Sequence, residues 1–226
     1  MRHSPDVNGT RTPAERSTGY GVIGQSFASG DSLALWRCSA SSSGPPYTAV
    51  WHLNPGGVWT LFADVGPERA VPPLFAHSLG PVVTDMIAVN WTGPSHLVVT
   101  VRDVGLVWSV ELATTAATRM LSALAGRLPG RWWRGRRALR WIGPTAGWAL
   151  GLGSVRLCGR TSGGLCLQVR PRTIRRARTT RAAVRGRDFG PAREAGRQVR
   201  LGDFRTPARG IFAAGELCVE ATSAII

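Results

Sequence analysis

The chain contains no lysine; all 28 of its basic residues are arginine. Schiff-base chemistry on a side-chain amine is therefore excluded, as is a lysine general base. Cysteine is sparse: Cys38, Cys158, Cys166 and Cys218 include no CxxC pair, so neither a zinc site nor any other metal is expected. No segment approaches the run of about 18 apolar residues that a membrane-spanning helix needs. The opening stretch MRHSPDVNGTRTPAERSTG lacks the apolar core of a signal peptide. These absences predict a cytoplasmic protein, with the inner face of the membrane within its reach, whose cysteines are buried thiols. GxSxG, HExxH and P-loop patterns are missing too. Gly151-Leu152-Gly153 is too short for a dinucleotide fingerprint and precedes a strand-like segment instead of following one. No cofactor is implied.

The most pointed absence is local. Residues 112–187 hold seventeen arginines and not one Asp or Glu, whereas residues 1–111 hold six arginines and eight acids, and residues 188–226 hold five of each. Codon usage in a GC-rich genome accounts for arginine replacing lysine, but not for this placement. The whole excess behind the formal charge of +15 sits in one block, which cannot neutralise itself. A surface of strongly positive potential and an anionic partner follow.

What is present is a β-rich pattern centred on one hairpin. Tyr47–Leu53 and Val58–Val65 are rich in β-branched and aromatic residues and flank Asn54-Pro55-Gly56-Gly57. Pro55 sets φ for the second turn position, and Gly56 supplies the positive φ of a type II turn. A symmetric closure pairs Leu53 with Val58, Trp51 with Thr60 and Ala49 with Phe62. Both faces are then mostly apolar, so both are covered, or one lines a barrel.

Around this hairpin, residues 1–18 read as a disordered arm and 19–226 as a single β-rich domain. Tyr20–Ile23 and Ser32–Ala40 form strands joined through Gly30-Asp31. Val82–Trp91, Leu97–Arg102 and Leu106–Leu112 make a meander in which Thr100 pairs with Trp108. The period then changes to that of a helix at Thr114–Leu128, capped by Thr114 or Thr115, with Met120, Leu121, Leu124 and Leu128 as its apolar stripe. A second, shorter helix ends before Gly143-Pro144. Strands return at Ser154–Arg160, Leu165–Arg170, Thr173–Arg178 and Arg181–Arg185, and Ile211–Glu220 closes the sheet. The fold expected is mainly β, a barrel or strongly curved antiparallel sheet, with a helical insert near residues 113–150.

Three sets of residues carry functional readings. Arg131, Arg134, Arg136, Arg137 and Arg140, with Trp132 and Trp133, form an arginine–tryptophan segment. Trp favours the interface between water and hydrocarbon, and Arg attracts anionic head groups, so the segment suits an anionic membrane surface. Nucleic acid, with Arg on phosphates and Trp on bases, is the less favoured partner. Trp51, Phe62, Val99 and Trp108 are candidates to line a site for an apolar, lipid-like small molecule. His52, Asp64 and Asp85 are candidate acid or base groups of an enzyme acting on a lipid or isoprenoid-like substrate, provided that they converge in one apolar pocket. Glu68, His77 and Glu111 complete the ionisable groups of this half.

The strand order, the central Trp51-His52…Pro55-Gly56-Gly57-Val58-Trp59 hairpin and the mid-chain insert resemble bacterial lipocalin-like proteins of the carotenoid-hydratase type. More loosely, residues 20–220 are similar to acetoacetate-decarboxylase-like β-barrels. Either resemblance implies a barrel or cone around an apolar small molecule. The decarboxylase activity is not implied, because its Schiff-base lysine has no counterpart here.

Overall fold

The computed structural model describes residues 15–42, 44–66, 80–128, 136–161, 165–196, 198–201 and 203–220. Its strands are β1 (Glu15–Phe27), β2 (Ser32–Ser41), β3 (Tyr47–Leu53), β4 (Trp59–Ala63), β5 (Val82–Thr84), β6 (Ile87–Gly93), β7 (His96–Val101) and β8 (Leu106–Ala113). Two helices follow, α1 (Ala116–Arg127) and α2 (Arg136–Leu150). The chain returns to strands with β9 (Cys158–Arg160), β10 (Cys166–Val184), β11 (Arg187–Asp188), β12 (Ala192–Arg193), β13 (Arg200–Leu201), β14 (Phe204–Arg205) and β15 (Ile211–Glu220). The expected β-meander, helical insert and β-meander are all present. Glu15–Thr18, placed in the arm by their polarity, instead begin β1 and pair with β15. Residues 1–14 lie outside the described residues.

The main sheet runs β5-β4-β3-β2-β1-β15-β10-β8-β7-β6. Its two edge strands, β5 and β6, are consecutive in the chain, separated only by Asp85-Met86. A flat sheet of this width would hold its edges roughly 43 Å apart at about 4.8 Å per strand gap. A link of two residues spans about 10 Å. The sheet must therefore curl, and it forms a half-barrel.

The curl has a visible line of weakness. Gly19 of β1 pairs with Gly215 of β15, which pairs with Pro171 of β10. Register shifts fall at Thr18/Gly19 and at Pro171/Thr173. A Cβ on Gly19 would lie 2.0 Å from the Arg37 carbonyl oxygen, and one on Gly215 would lie 2.1 Å from that of Arg170. Bulges and side-chain-free positions bend strands, and here they align across adjacent strands. Pro171, which has no N–H for the ladder, is tolerated at the bulge.

Both hairpin registers differ by one residue from those expected. The β3–β4 pairing is Leu53↔Trp59, Trp51↔Leu61 and Val50↔Phe62. In the turn, Gly57 N–H donates to the Asn54 carbonyl, and Asn54 N–H to that of Val58, both at 3.0 Å. Gly57, not Gly56, takes the positive φ, at 82°. This is a type I turn followed by a glycine bulge, which adds one residue to the loop. Likewise Val99 pairs with Trp108 and Thr100 with Val107, with Gly105 at φ 67° in the turn. A slip of one residue turns every side chain of one strand to the opposite face of the sheet.

The apolar strands therefore serve two clusters. Val50, Phe62, Val99 and Trp108 join the main core with Phe27, Leu33 and Phe189. Ala49, Leu61 and Ala63 form a smaller cluster on the other face, with Tyr47 and Trp51 against it. The Trp108 indole N–H donates to Thr180 Oγ1 at 2.8 Å, so its burial leaves no orphan donor.

Helix α1 begins at Thr115, whose hydroxyl accepts from Thr118 N–H while the Thr118 hydroxyl accepts from Thr115 N–H. It rests on β10 through small polar residues: Thr118 is fully buried, and Ile174 N–H donates to Ser122 Oγ at 2.9 Å. The expected apolar stripe is thus only partly covered: Leu121 packs against Leu150, Leu152 and Ile211, whereas Met120 and Leu124 are exposed to solvent. Helix α2 also departs from expectation by continuing through Gly143-Pro144. Gly143 and Gly147 let the chain at 153–157 lie against it; a Cβ at Gly147 would approach the Gly153 carbonyl oxygen to 2.5 Å. The helix ends at Gly151, φ 63°, where Leu152 N–H donates to the Gly147 carbonyl and Gly151 N–H to that of Trp148. All four cysteines are free thiols, as expected; Cys158 is only half-buried.

Candidate functional site

The three candidate acid–base residues do not meet. Asp64 is exposed beyond the end of β4, where its Oδ1 accepts from Thr48 N–H at 2.6 Å. Asp85 is buried between β5 and β6, and its carboxylate accepts from Asp103 N–H at 3.0 Å and Val104 N–H at 3.2 Å. It holds the β7–β8 turn. His52 lies near the opposite end of β3 from Thr48. Each carboxylate is occupied by backbone, which is a structural task. Glu68 and His77 lie outside the described residues.

His52 has a partner that its sequence neighbourhood did not signal. Its Nε2 is 2.7 Å from Oδ1 of Asp31, a fully buried residue in the β1–β2 turn. Arg187 reaches Asp31 Oδ2 at 3.5 Å and lies over the Phe189 ring, which stacks on His52. Burial pushes the Asp31 carboxyl upward. Its hydrogen bonds with Ser29 and His52 and the positive charges of His52 and Arg187 outweigh that effect and hold it below the ordinary carboxylate range. An imidazole oriented by a buried carboxylate is half of a proton-transfer device. Here the pair ties three chain segments together: the β1–β2 turn, the end of β3 and the β10–β11 hairpin.

Of the four candidate ligand-lining residues, Phe62, Val99 and Trp108 share the main core, the last two with no exposed surface. Trp51 lies on the other face, a direct result of the shifted register. One cleft on the described surface, of about 150 Å³, has Gly24, Phe27 and Trp59 in its wall; another, of about 640 Å³, has an arginine-rich wall. Neither is lined by His52, Trp51, Phe62, Val99 or Trp108.

Of the arginine–tryptophan segment, Arg131, Trp132, Trp133 and Arg134 lie outside the described residues. Arg136, Arg137 and Arg140 belong to α2, with side chains outside the description. The described part of the insert presents apolar surface: Trp148 of α2 is 86% exposed, and Met120 and Leu124 of α1 are 56% and 52% exposed. No helix among the described residues is long and apolar enough to cross a membrane, and no cluster of His, Cys, Asp or Glu there could hold a metal.

No family model matches the chain, and no curated protein matches it. Among solved structures it is similar to acetoacetate decarboxylase from Legionella pneumophila subsp. pneumophila str. Philadelphia 1. The two are 9% identical over 99% of this chain and 92% of that one, with a TM-score of 0.42.

Proposed function

We propose that this is a non-catalytic binding protein that docks on anionic lipid surfaces through its helical insert. The observation that carries the reading is Trp148, a large apolar side chain left 86% exposed in a segment without acids. Indole rings prefer the membrane interface, and a basic surrounding draws them to anionic head groups. Met120 and Leu124 add apolar surface on the neighbouring helix. The charge of +15 supplies long-range attraction, which salt screens over about 10 Å. The lack of convergence among His52, Asp64 and Asp85 argues against the enzyme reading. An apolar ligand inside the sheet would need room that the packed Val99 and Trp108 do not leave, which supports a lipid-like partner met at the surface.

Co-sedimentation with vesicles tests this. The protein should pellet with phosphatidylcholine vesicles containing phosphatidylserine, far less with phosphatidylcholine alone, and progressively less as salt rises. If neither vesicle is bound while single-stranded nucleic acid is bound in a salt-sensitive way, docking is wrong and nucleic acid is the partner.

A further inference from the structure

The groove of about 640 Å³ is built where β8, β10, β12 and the approach to β15 come together. Four arginines line it: Arg176 and Arg178 from β10, Arg193 from β12, and Arg209 just ahead of β15. Arg209 is committed, donating from Nε and Nη2 to Glu194 Oε2 at 2.9 and 2.8 Å. Arg176, Arg178 and Arg193 have no acidic partner among the described residues. Glu194 is the one acid in the wall, which leaves a net of three positive charges around one opening.

Irregular backbone puts these groups there. The β10–β8 pairing skips between Ala177 and Thr179, so Arg178 is the extra residue of a bulge. The β1–β2 pairing jumps between Val22 and Gln25, with Gly24 at φ 77°, and this brings the buried Gln25 to the groove floor. Bulges re-aim side chains and are enriched beside binding sites. Gly210 leaves room for the Gln25 side chain, for a Cβ there would lie 2.3 Å from Gln25 Oε1. At the rim stands Thr115, the N-cap of α1, whose first turn carries no acid.

Three unpaired guanidinium groups around one groove repel one another, and an anion between them removes that repulsion. Their planar forks match phosphate oxygens two at a time. The groove volume falls within the range of about 300–1,000 Å³ found for small-molecule sites, well above what a bare phosphate fills. We propose that this groove binds a small organic molecule through its phosphate group, with Arg176, Arg178 and Arg193 as the phosphate-holding residues. The molecule is either a free phosphorylated compound or the head group of a phospholipid. The site stands on β10 and β12 and does not rest on docking by the insert.

Calorimetric titration of the full chain with inorganic pyrophosphate tests the proposal. Two triple variants with the same loss of charge are compared: R176Q/R178Q/R193Q, and R102Q/R185Q/R205Q, whose positions lie outside the groove. The groove variant should lose at least about tenfold in affinity, since hydrogen bonds to charged groups are lost, and the other less than about twofold. Thermal melting establishes that each is folded; R178Q alone, at an exposed bulge position, replaces the groove triple if that one does not fold. Equal losses in both triples, an unchanged groove variant or no binding by the parent protein would each overturn the proposal. Phosphatidic acid vesicles distinguish the two sources. Displacement of pyrophosphate from the parent protein by these vesicles, with vesicle binding itself weakened in the groove variant, identifies a lipid head group, and its absence identifies a free phosphorylated compound. Pyrophosphate binding without any vesicle binding removes the docking reading and leaves this one standing.

Discussion

Asp31 is the residue on which most local structure converges. It is fully buried and meets His52 and Arg187, while Ser29 Oγ accepts its own N–H at 3.3 Å. Asp31→Asn keeps the shape but removes the charge that faces the Arg187 guanidinium and the carboxylate oxygen that meets His52 Nε2. Their loss should cost about 2 kcal/mol or more, measured by chemical denaturation at neutral pH. The sign with pH follows from the lowered carboxyl. Its contribution is complete above the ordinary value of 3.8 and is lost as pH falls through the lower folded-state value. Acid titration of stability should therefore show a drop below about pH 4 that is smaller in Asp31→Asn; equal drops in both proteins would contradict the assignment. His52 could be singled out from the sequence because an imidazole on an apolar strand is unusual. Asp31 could not: in Ser29-Gly30-Asp31-Ser32 it reads as an ordinary turn residue. Its partner Arg187 lies 156 positions away, and only the folded sheet brings them together.

At the scale of the element, turns decided what strand patterns could not. Alternation located β3, β4, β7 and β8 closely, but a pattern of period two leaves the register open by one residue when both faces are apolar. The register lies with Gly57 and Gly105, the left-handed residues of the two turns. Gly57→Ala should destabilise by about 1–2 kcal/mol, the cost of holding a side chain at positive φ, whereas Gly56→Ala should cost under about 0.5 kcal/mol. Equal effects would mean that Gly56 carries the positive φ after all. That shift moves Trp51 away from Phe62 and so dissolves the apolar site read from the strands. The helices teach a related lesson. Met120, Leu121 and Leu124 look like one core stripe in sequence, yet α1 seats Thr118 and Ser122 on β10, packs only Leu121 inward and leaves Met120 and Leu124 outside. Pro144 looks like a stop, yet the glycines at 143 and 147 give α2 a packing partner that carries it to Gly151.

For the whole molecule, two features dominate: the curl of the sheet and the uneven charge. The mainly β character and the position of the insert were legible from alternation and from the change of period after Ala113. The line through Gly19, Gly215 and Pro171 was not, because nothing in three distant segments says that they are neighbours. Gly19→Val should destabilise by more than about 2 kcal/mol, since its side chain would drive into the Arg37 carbonyl; a variant with parental melting behaviour would show that the curl does not depend on this line. The charge asymmetry was fully legible, as counting acids needs no structure. The groove that gathers Arg176 and Arg178 from the block with Arg193 from beyond it was hidden in the bulges of β1 and β10. Docking of the insert is read most directly from quenching of tryptophan fluorescence by phosphatidylserine vesicles with brominated acyl chains, compared between the parent protein and Trp148→Phe. Docking predicts quenching in the parent protein and a clear loss of it in Trp148→Phe, with the same folded spectrum in the absence of vesicles. Equal quenching in the two proteins, or none in either, would contradict it.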